Sequence, residues 1–183
     1  MKLPDRIYLT GFMAAGKSTI GQILANTIGY DFVDLDHFII EKEGISVPEI
    51  FKQKGEAYFR ETESRFLAEL SVRKKIIISL GGGTVCFNQN LEWIKNKGFL
   101  IYIRVTAKTI FYRVKAKRDR PLFLDQNGNL LPDAEIREKI AKLMETRNPF
   151  YEQAHLIFDT RDNEVGYVVE GLKRQLIQIY GRY

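Results

Sequence analysis

Ile7-Tyr-Leu-Thr10-Gly11-Phe-Met-Ala-Ala-Gly16-Lys17-Ser18-Thr19 is the stretch whose reading decides the fold. A short apolar run ends at Gly11, which reads as a buried strand. Ile20, Ile23, Leu24 and Ile28 then recur at helical spacing until Gly29, which predicts a helix over 18–28 closed by a glycine. Between the two, Gly11 to Ser18 matches G-x-x-x-x-G-K-[ST] in the strand–loop–helix setting that the motif needs. Its glycines let the backbone turn tightly, so that successive N–H groups face one anion, and the helix N-terminus adds partial positive charge. Ala14, Ala15, Gly16, Lys17, Ser18 and Thr19 are therefore expected to cradle the phosphates of ATP. Lys17 would reach the β- and γ-phosphates, and the Ser18 hydroxyl would ligate Mg²⁺.

Outward from this loop, four more apolar runs at 32–35, 75–79, 99–103 and 156–158 read as strands. Helical segments alternate with them. Ser46-Val-Pro-Glu49 fits a capping box, Gly55 interrupts, and 56–72 carries Phe59, Phe66, Leu67 and Leu70 on one side. Asn88 is expected to cap a helix through 95, Thr106 one to about 115, and Asp133 to open one to about 146; the last helix covers 165–179. Residues 117–132 are polar, charged and irregular, which marks a functional or mobile connection. Continuous apolar strands alternating with helices predict an α/β fold with a five-stranded parallel sheet, flanked by helices on both faces. Ligands of such sheets bind beyond the carboxyl ends of the strands.

Composition narrows the class. The 183 residues suit one domain, with 45% hydrophobic and 28% charged residues. The lone Cys86 excludes an intramolecular disulfide framework and a cysteine-rich zinc site, and suits a reducing cytoplasm. No apolar run approaches a membrane span, and the first residues lack a signal-peptide core, so neither membrane insertion nor export is expected. The formal charge of +5 leaves nucleic acid, acidic membranes and small anions open as partners. Between Arg104 and Arg120, however, seven lysines and arginines face one aspartate, so that segment alone accounts for the surplus. This local basicity lies where a triphosphate would be covered, and nucleic acid loses its main support.

The strand ends carry the remaining candidates. If 32–35 is a strand, side-chain alternation sends Asp34 and Asp36 to one side. One carboxylate would hold Mg²⁺ directly or through water; the other would accept a hydrogen bond or a proton from an attacking hydroxyl. In Gly55-Glu-Ala-Tyr-Phe59-Arg60-Glu-Thr-Glu63, Arg60 and Glu63 face each other at i,i+3, and arginine suits a bidentate grip on a carboxylate. Ser79-Leu-Gly81-Gly82-Gly83 reads as a strand entering a loop where a ligand approaches the backbone closely. Arg120, in Arg118-Asp-Arg120-Pro121-Leu122, would reach the transferring phosphoryl group from a closing segment. Arg147-Asn-Pro149-Phe-Tyr151 offers a second carboxylate-binding arginine. His37, His155, Cys86 and Trp93 read as structural.

In this order the motifs resemble the shikimate kinase family, from Ile7 to about Tyr180: phosphate loop, D-x-D, G-E-x-x-F-R-x-x-E, L-G-G-G, R-P-L and R-x-P-x-Y. The resemblance implies a P-loop, nucleoside-monophosphate-kinase-like fold in one domain over 1–183. It has a substrate-binding helical segment at about 34–63 and a lid at about 115–132. It implies phosphorylation of the 3-hydroxyl of shikimate by ATP with Mg²⁺, in aromatic amino-acid precursor synthesis, by a cytoplasmic monomer with no nucleic-acid or membrane partner. Asp36, Arg60, Gly82 and Arg147 match the shikimate contacts, Asp34 with Ser18 the metal side, and Lys17 with Arg120 the phosphate-neutralising pair. Arg113 falls where the family packs a cation on adenine, and 161–163 resembles the adenine loop in position. The family commonly has glycine where this chain has Ala14, which implies an intact amide and an altered nucleotide affinity. The polar run 125–132 lengthens the lid. Two other readings share part of this pattern. A sugar-acid or nucleotide kinase would share the loop and lid with different acceptor contacts, and a nucleotide-dependent binding module would share the loop without turnover.

Overall fold

Residue pairing across five strands explains why the motifs meet. The computed structural model describes residues 3–117, 120–160 and 163–181. Strands β1 (Arg6–Thr10), β2 (Asp31–Asp34), β3 (Ile76–Ser79), β4 (Phe99–Arg104) and β5 (Leu156–Asp159) form one sheet in the order β2-β3-β1-β4-β5. Every pairing is parallel. Ile7, Tyr8, Leu9, Ile76, Ile77, Ile78, Leu100, Ile101 and Ile103 are all fully buried, as continuous apolar strands covered on both faces must be. Ser79 lies opposite both Leu9 and Asp34, so the loops after β1, β2 and β3 open side by side at the carboxyl edge. From β1 the chain crosses to β2 on one side, and from β3 to β4 on the other; the crevice between these departures is where such sheets bind ligands.

Helices α1 (Lys17–Ile28), α2 (Leu35–Glu43), α3 (Val47–Leu70), α4 (Asn90–Lys97), α5 (Ala107–Ala116), α6 (Asp133–Tyr151) and α7 (Val165–Tyr180) complete the architecture. The expected fold class holds. So do the glycine stop at Gly29 (φ 72°), the Ser46–Glu49 capping box, the break at Gly55 (φ 82°, ψ 170°) and the Thr106 cap. Among the described residues no helix is long and apolar enough to cross a membrane.

Two local expectations are corrected. The second strand stops at Asp34, because the Asp34 carboxylate caps a helix absent from the sequence reading: it accepts from the N–H groups of Asp36 (3.1 Å) and His37 (3.4 Å). Asn88 caps nothing. Its side-chain amide donates to the Arg60 carbonyl (3.1 Å) and Ser64 Oγ (3.2 Å), and α4 begins at Asn90 after a left-handed Gln89. The described part of 117–132 holds no α-helix or β-strand, as expected of an irregular connection, but it carries local hydrogen-bonded turns. Pro121–Phe123 forms a short 3₁₀ turn that buries Phe123 completely, and Leu124 pairs antiparallel with Leu130. The Asp125 carboxylate accepts from the N–H groups of Asn127 (2.9 Å) and Asn129 (2.8 Å), and Gly128 supplies the left-handed corner (φ 81°). The extra polar run is thus a closed Asx turn on a hairpin. Arg118 and Asp119 lie outside the described residues.

Candidate active site

The phosphate loop follows β1 with Gly11 at φ 142°, where an added Cβ would meet the Ile103 carbonyl at 2.6 Å. Gly16 (φ 95°) opens α1. Ala14 is also left-handed, at φ 61°, a conformation that costs a residue with a Cβ about 1 kcal/mol. Lys17 is buried, and its ammonium donates to the carbonyls of Gly11 (2.8 Å) and Phe12 (3.1 Å). Burial lowers its pKa to about 8; Asp36 and Asp34 pull it up, while Arg120 and Arg147 push it further down. Arg113, reaching from α5, donates through one Nη1 to the carbonyls of Ala14 (3.0 Å) and Ala15 (3.1 Å).

The two aspartates do come together at the strand end, by capping rather than by strand alternation. Asp34 closes β2, and its second carboxylate oxygen accepts from the Ser18 hydroxyl at 2.5 Å. Asp36 stands in the first turn of α2. Lost hydration, and then the neighbouring Asp34 charge, raise its pKa against the pull of Lys17, His37 and Arg120. Among the described residues no cluster of three or more His, Cys, Asp or Glu could hold a metal. A hydroxyl beside one carboxylate is a set of hard oxygens. It fits a cation that takes its other ligands from water and phosphate, as Mg²⁺ does.

The triple glycine earns its place through close approach, since none of the three has a positive φ. A Cβ on Gly81 would lie 2.9 Å from Asp36 Oδ1 and 3.0 Å from Glu63 Oε1. On Gly82 it would lie 3.3 Å from Arg147 Nη1 and 3.3 Å from the Met13 nitrogen, and on Gly83 3.0 Å from Arg60 Nη1. Three successive glycines thus seat three candidate side chains against one loop.

Arg60 pairs with Glu63 (3.3 Å) as its spacing implies, and with Glu56 (2.9 Å), and its guanidinium lies 4.0 Å from the Phe87 ring centre. Glu63 is buried and accepts from the Thr84 hydroxyl at 2.5 Å; burial raises its pKa, opposed by Thr84 and Arg60. Arg147 donates to the Gly82 carbonyl at 3.3 Å, and the hydroxyl of fully buried Tyr151, one turn on, donates to the same oxygen. The Tyr102 ring packs on Tyr151 with centres 5.1 Å apart.

A cavity of about 480 Å³ unites Ala14, Ala15, Gly16, Lys17, Ser18 and Thr19 with Asp34, Asp36, Gly82, Arg113 and Arg120. Its size suits a small-molecule site. Arg60 and Arg147 do not line it directly; they lie against Gly83 and Gly82, of which Gly82 does, and both bear electrostatically on the half-buried Cys86. The far end is lined by Thr160, Asn163, Val165 and Val168, while Arg161 and Asp162 of the adenine-loop expectation lie outside the described residues.

The sequence pattern of the family described as shikimate kinase matches residues 13–177. The chain belongs to the shikimate kinase family. A curated shikimate kinase of Chloroherpeton thalassium is 40% identical over 176 residues, covering 96% of this chain and 94% of that one. The crystal structure of a shikimate kinase from Bacteroides thetaiotaomicron superposes with a TM-score of 0.87 at 34% identity, over 94% of this chain and 98% of that one. A shikimate kinase from Acinetobacter baumannii, in complex with shikimate, superposes with a TM-score of 0.86 at 31% identity, over 98% and 96%. As a shikimate kinase the chain is an ATP-dependent phosphotransferase of aromatic biosynthesis. The shikimate kinase motifs were legible, but Thr84, Glu56, Phe87 and the role of Tyr151 were not. Tyr151 was within reach: an aromatic hydroxyl at i+4 from Arg147 lies on the same helix face.

Proposed function

We propose that the cavity transfers the γ-phosphoryl group of ATP to the 3-hydroxyl of shikimate, with each candidate residue in the following role. The amides of 14–19 cradle the phosphates, and Lys17 leaves the Gly11 and Phe12 carbonyls to meet them, while Arg120 approaches from the lid side. Ser18 and Asp34 hold Mg²⁺, which when bound offsets phosphate charge. Asp36 accepts the proton of the attacking hydroxyl as the new O–P bond forms and the bond to the β-phosphate oxygen breaks, releasing ADP. Its raised pKa suits a proton acceptor better than an ordinary aspartate would. Arg60 and Arg147 grip the ring carboxylate over Gly82, as paired guanidiniums favour a planar anion.

The observation that carries this reading is the seating of Asp36, Arg147 and Arg60 on Gly81, Gly82 and Gly83 beside the phosphate loop. We read residues 1–183 as one kinase domain, with an acceptor segment at 34–63 and a lid at 115–132, working as a monomer in the cytoplasm without a nucleic-acid or membrane partner. The continuous buried core supports the single domain, and the lone cysteine suits a reducing compartment. Replacing Asp36 by Asn keeps a hydrogen-bonding group and removes the base. Steady-state turnover should fall about 10²–10⁴-fold; an unchanged kcat would remove Asp36 from the chemistry.

A further inference from the structure

We propose that Arg113 is a positioning residue for the phosphate loop: by holding the carbonyls of Ala14 and Ala15 it fixes the turn that the Ala15 N–H closes and aims the Gly16 amide, at the mouth of α1, toward the triphosphate, whatever base the nucleotide carries. The proposal rests on the reading that the cavity takes a nucleoside triphosphate.

In a planar trans peptide the C=O and N–H point in opposite directions, so a loop whose carbonyls are gathered on one side presents its amides on the other. Two cations do the gathering here. Lys17 holds the carbonyls of Gly11 and Phe12, and Arg113 those of Ala14 and Ala15. The Ala14 carbonyl shares its plane with the Ala15 N–H, which closes the loop's own turn on the Phe12 carbonyl at 3.2 Å. The Ala15 carbonyl shares its plane with the Gly16 N–H, at the mouth of α1. Arg113 therefore fixes the half of the loop that leads into the helix. When Lys17 turns to the phosphates, its hold on the first half ends, and the brace from Arg113 remains.

Ala14 makes this brace necessary. At φ 61° its Cβ opposes the conformation the loop needs, and the peptide that follows it is the one whose carbonyl Arg113 grips. A Cβ added to Gly16 would lie 3.7 Å from Arg113 Nη1, so the guanidinium packs directly over the loop's second left-handed turn. The brace is tertiary, spanning 99 and 98 residues of sequence from α5. It differs from the adenine-packing role expected for Arg113, because a grip on loop carbonyls acts on phosphate binding and not on the base.

Inorganic tripolyphosphate with Mg²⁺, which has no base, separates the two. Calorimetric titration of the full chain with tripolyphosphate and with ATP should show Arg113→Ala weakening both by a common factor of roughly five to ten. Arg113→Lys, with one point charge for two carbonyls, should fall between. In an Ala14→Gly background the loss should shrink to about twofold or less, because glycine takes the left-handed turn unaided. The KM for the acceptor should not move. ATP weakened with tripolyphosphate unchanged overturns the proposal in favour of a base contact. An undiminished loss in the Ala14→Gly background overturns the conformational brace. If Arg113→Ala does not fold, Arg113→Lys carries the same comparison. Failure of the native chain to bind either ligand would instead sink the nucleotide-site reading, and the brace with it.

Discussion

Tyr151→Phe isolates one hydroxyl. The Tyr151 ring is fully buried against Tyr102, and phenylalanine keeps that packing. What disappears is one of the two donors on the Gly82 carbonyl, leaving Arg147 Nη1 at 3.3 Å. Because the carbonyl is not orphaned, the loss sits within the net range for one hydrogen bond, about 1 kcal/mol. For a chain of this size that lowers Tm by roughly 2–4 °C. The same change should reach the acceptor side. With Tyr151 gone, the carbonyl draws more heavily on Arg147, and the guanidinium is less available to a ring carboxylate. A cost of about 1 kcal/mol is roughly fivefold in affinity. ADP-release kinetics with shikimate titrated at saturating ATP should therefore show the shikimate KM raised roughly fivefold, with kcat and the ATP KM within about twofold. A lowered Tm with both KM values unchanged would reduce Tyr151 to a core residue. A raised ATP KM with an unchanged shikimate KM would refute the link through Gly82.

Two predictions concern protons. Lys17 has its pKa lowered to about 8 in the ligand-free chain, and only the ammonium neutralises phosphate. ATP affinity should fall as pH rises through about 8, with proton uptake on binding near pH 8.5 seen by calorimetry in buffers of different ionisation enthalpy; flat affinity to pH 9.5 would contradict this. His155 Nδ1 accepts from the Leu100 N–H at 2.9 Å, and burial, then Lys95, lowers its pKa. A folded-state pKa below the unfolded value of about 6.5 means the unfolded chain binds the extra proton first. The His155 contribution is therefore full above about 6.5 and lost as pH falls below it. Asp36 and Glu63, with raised pKa values, oppose this slope, so the readout is a difference. The urea midpoint of the parent should fall more between pH 7.5 and 5.5 than that of His155→Asn, whose amide oxygen still accepts; equal slopes would reject the assignment.

The parts legible from sequence were those with a local cause. The phosphate loop carries its own glycines, the parallel strands their own apolar runs, and the Arg60–Glu63 pair its own helical spacing. The aspartate pair was found for an incomplete reason: alternation along a strand placed Asp34 and Asp36 together, whereas Asp34 ends β2 and caps the helix that carries Asp36. A helix of nine residues with a weak apolar face leaves little periodicity to read. The triple glycine was read as room for a ligand, but much of that room is filled by Asp36, Arg147 and Arg60, arriving from α2, α6 and α3. Contacts spanning 65 residues, as between Arg147 and Gly82, have no signature in a local pattern. The same holds for Arg113, whose partners Ala14 and Ala15 are supplied by the fold alone.

The most direct test is ADP release from ATP by the purified chain with shikimate, without it, and with a ring analogue in which the carboxylate is replaced by a neutral group. Turnover should require shikimate, yield one shikimate 3-phosphate for each ADP, and with the analogue show a strongly raised KM. Turnover that is equal without shikimate would contradict the phosphoryl transfer, and an unchanged KM for the analogue would contradict the clamp of Arg60 and Arg147.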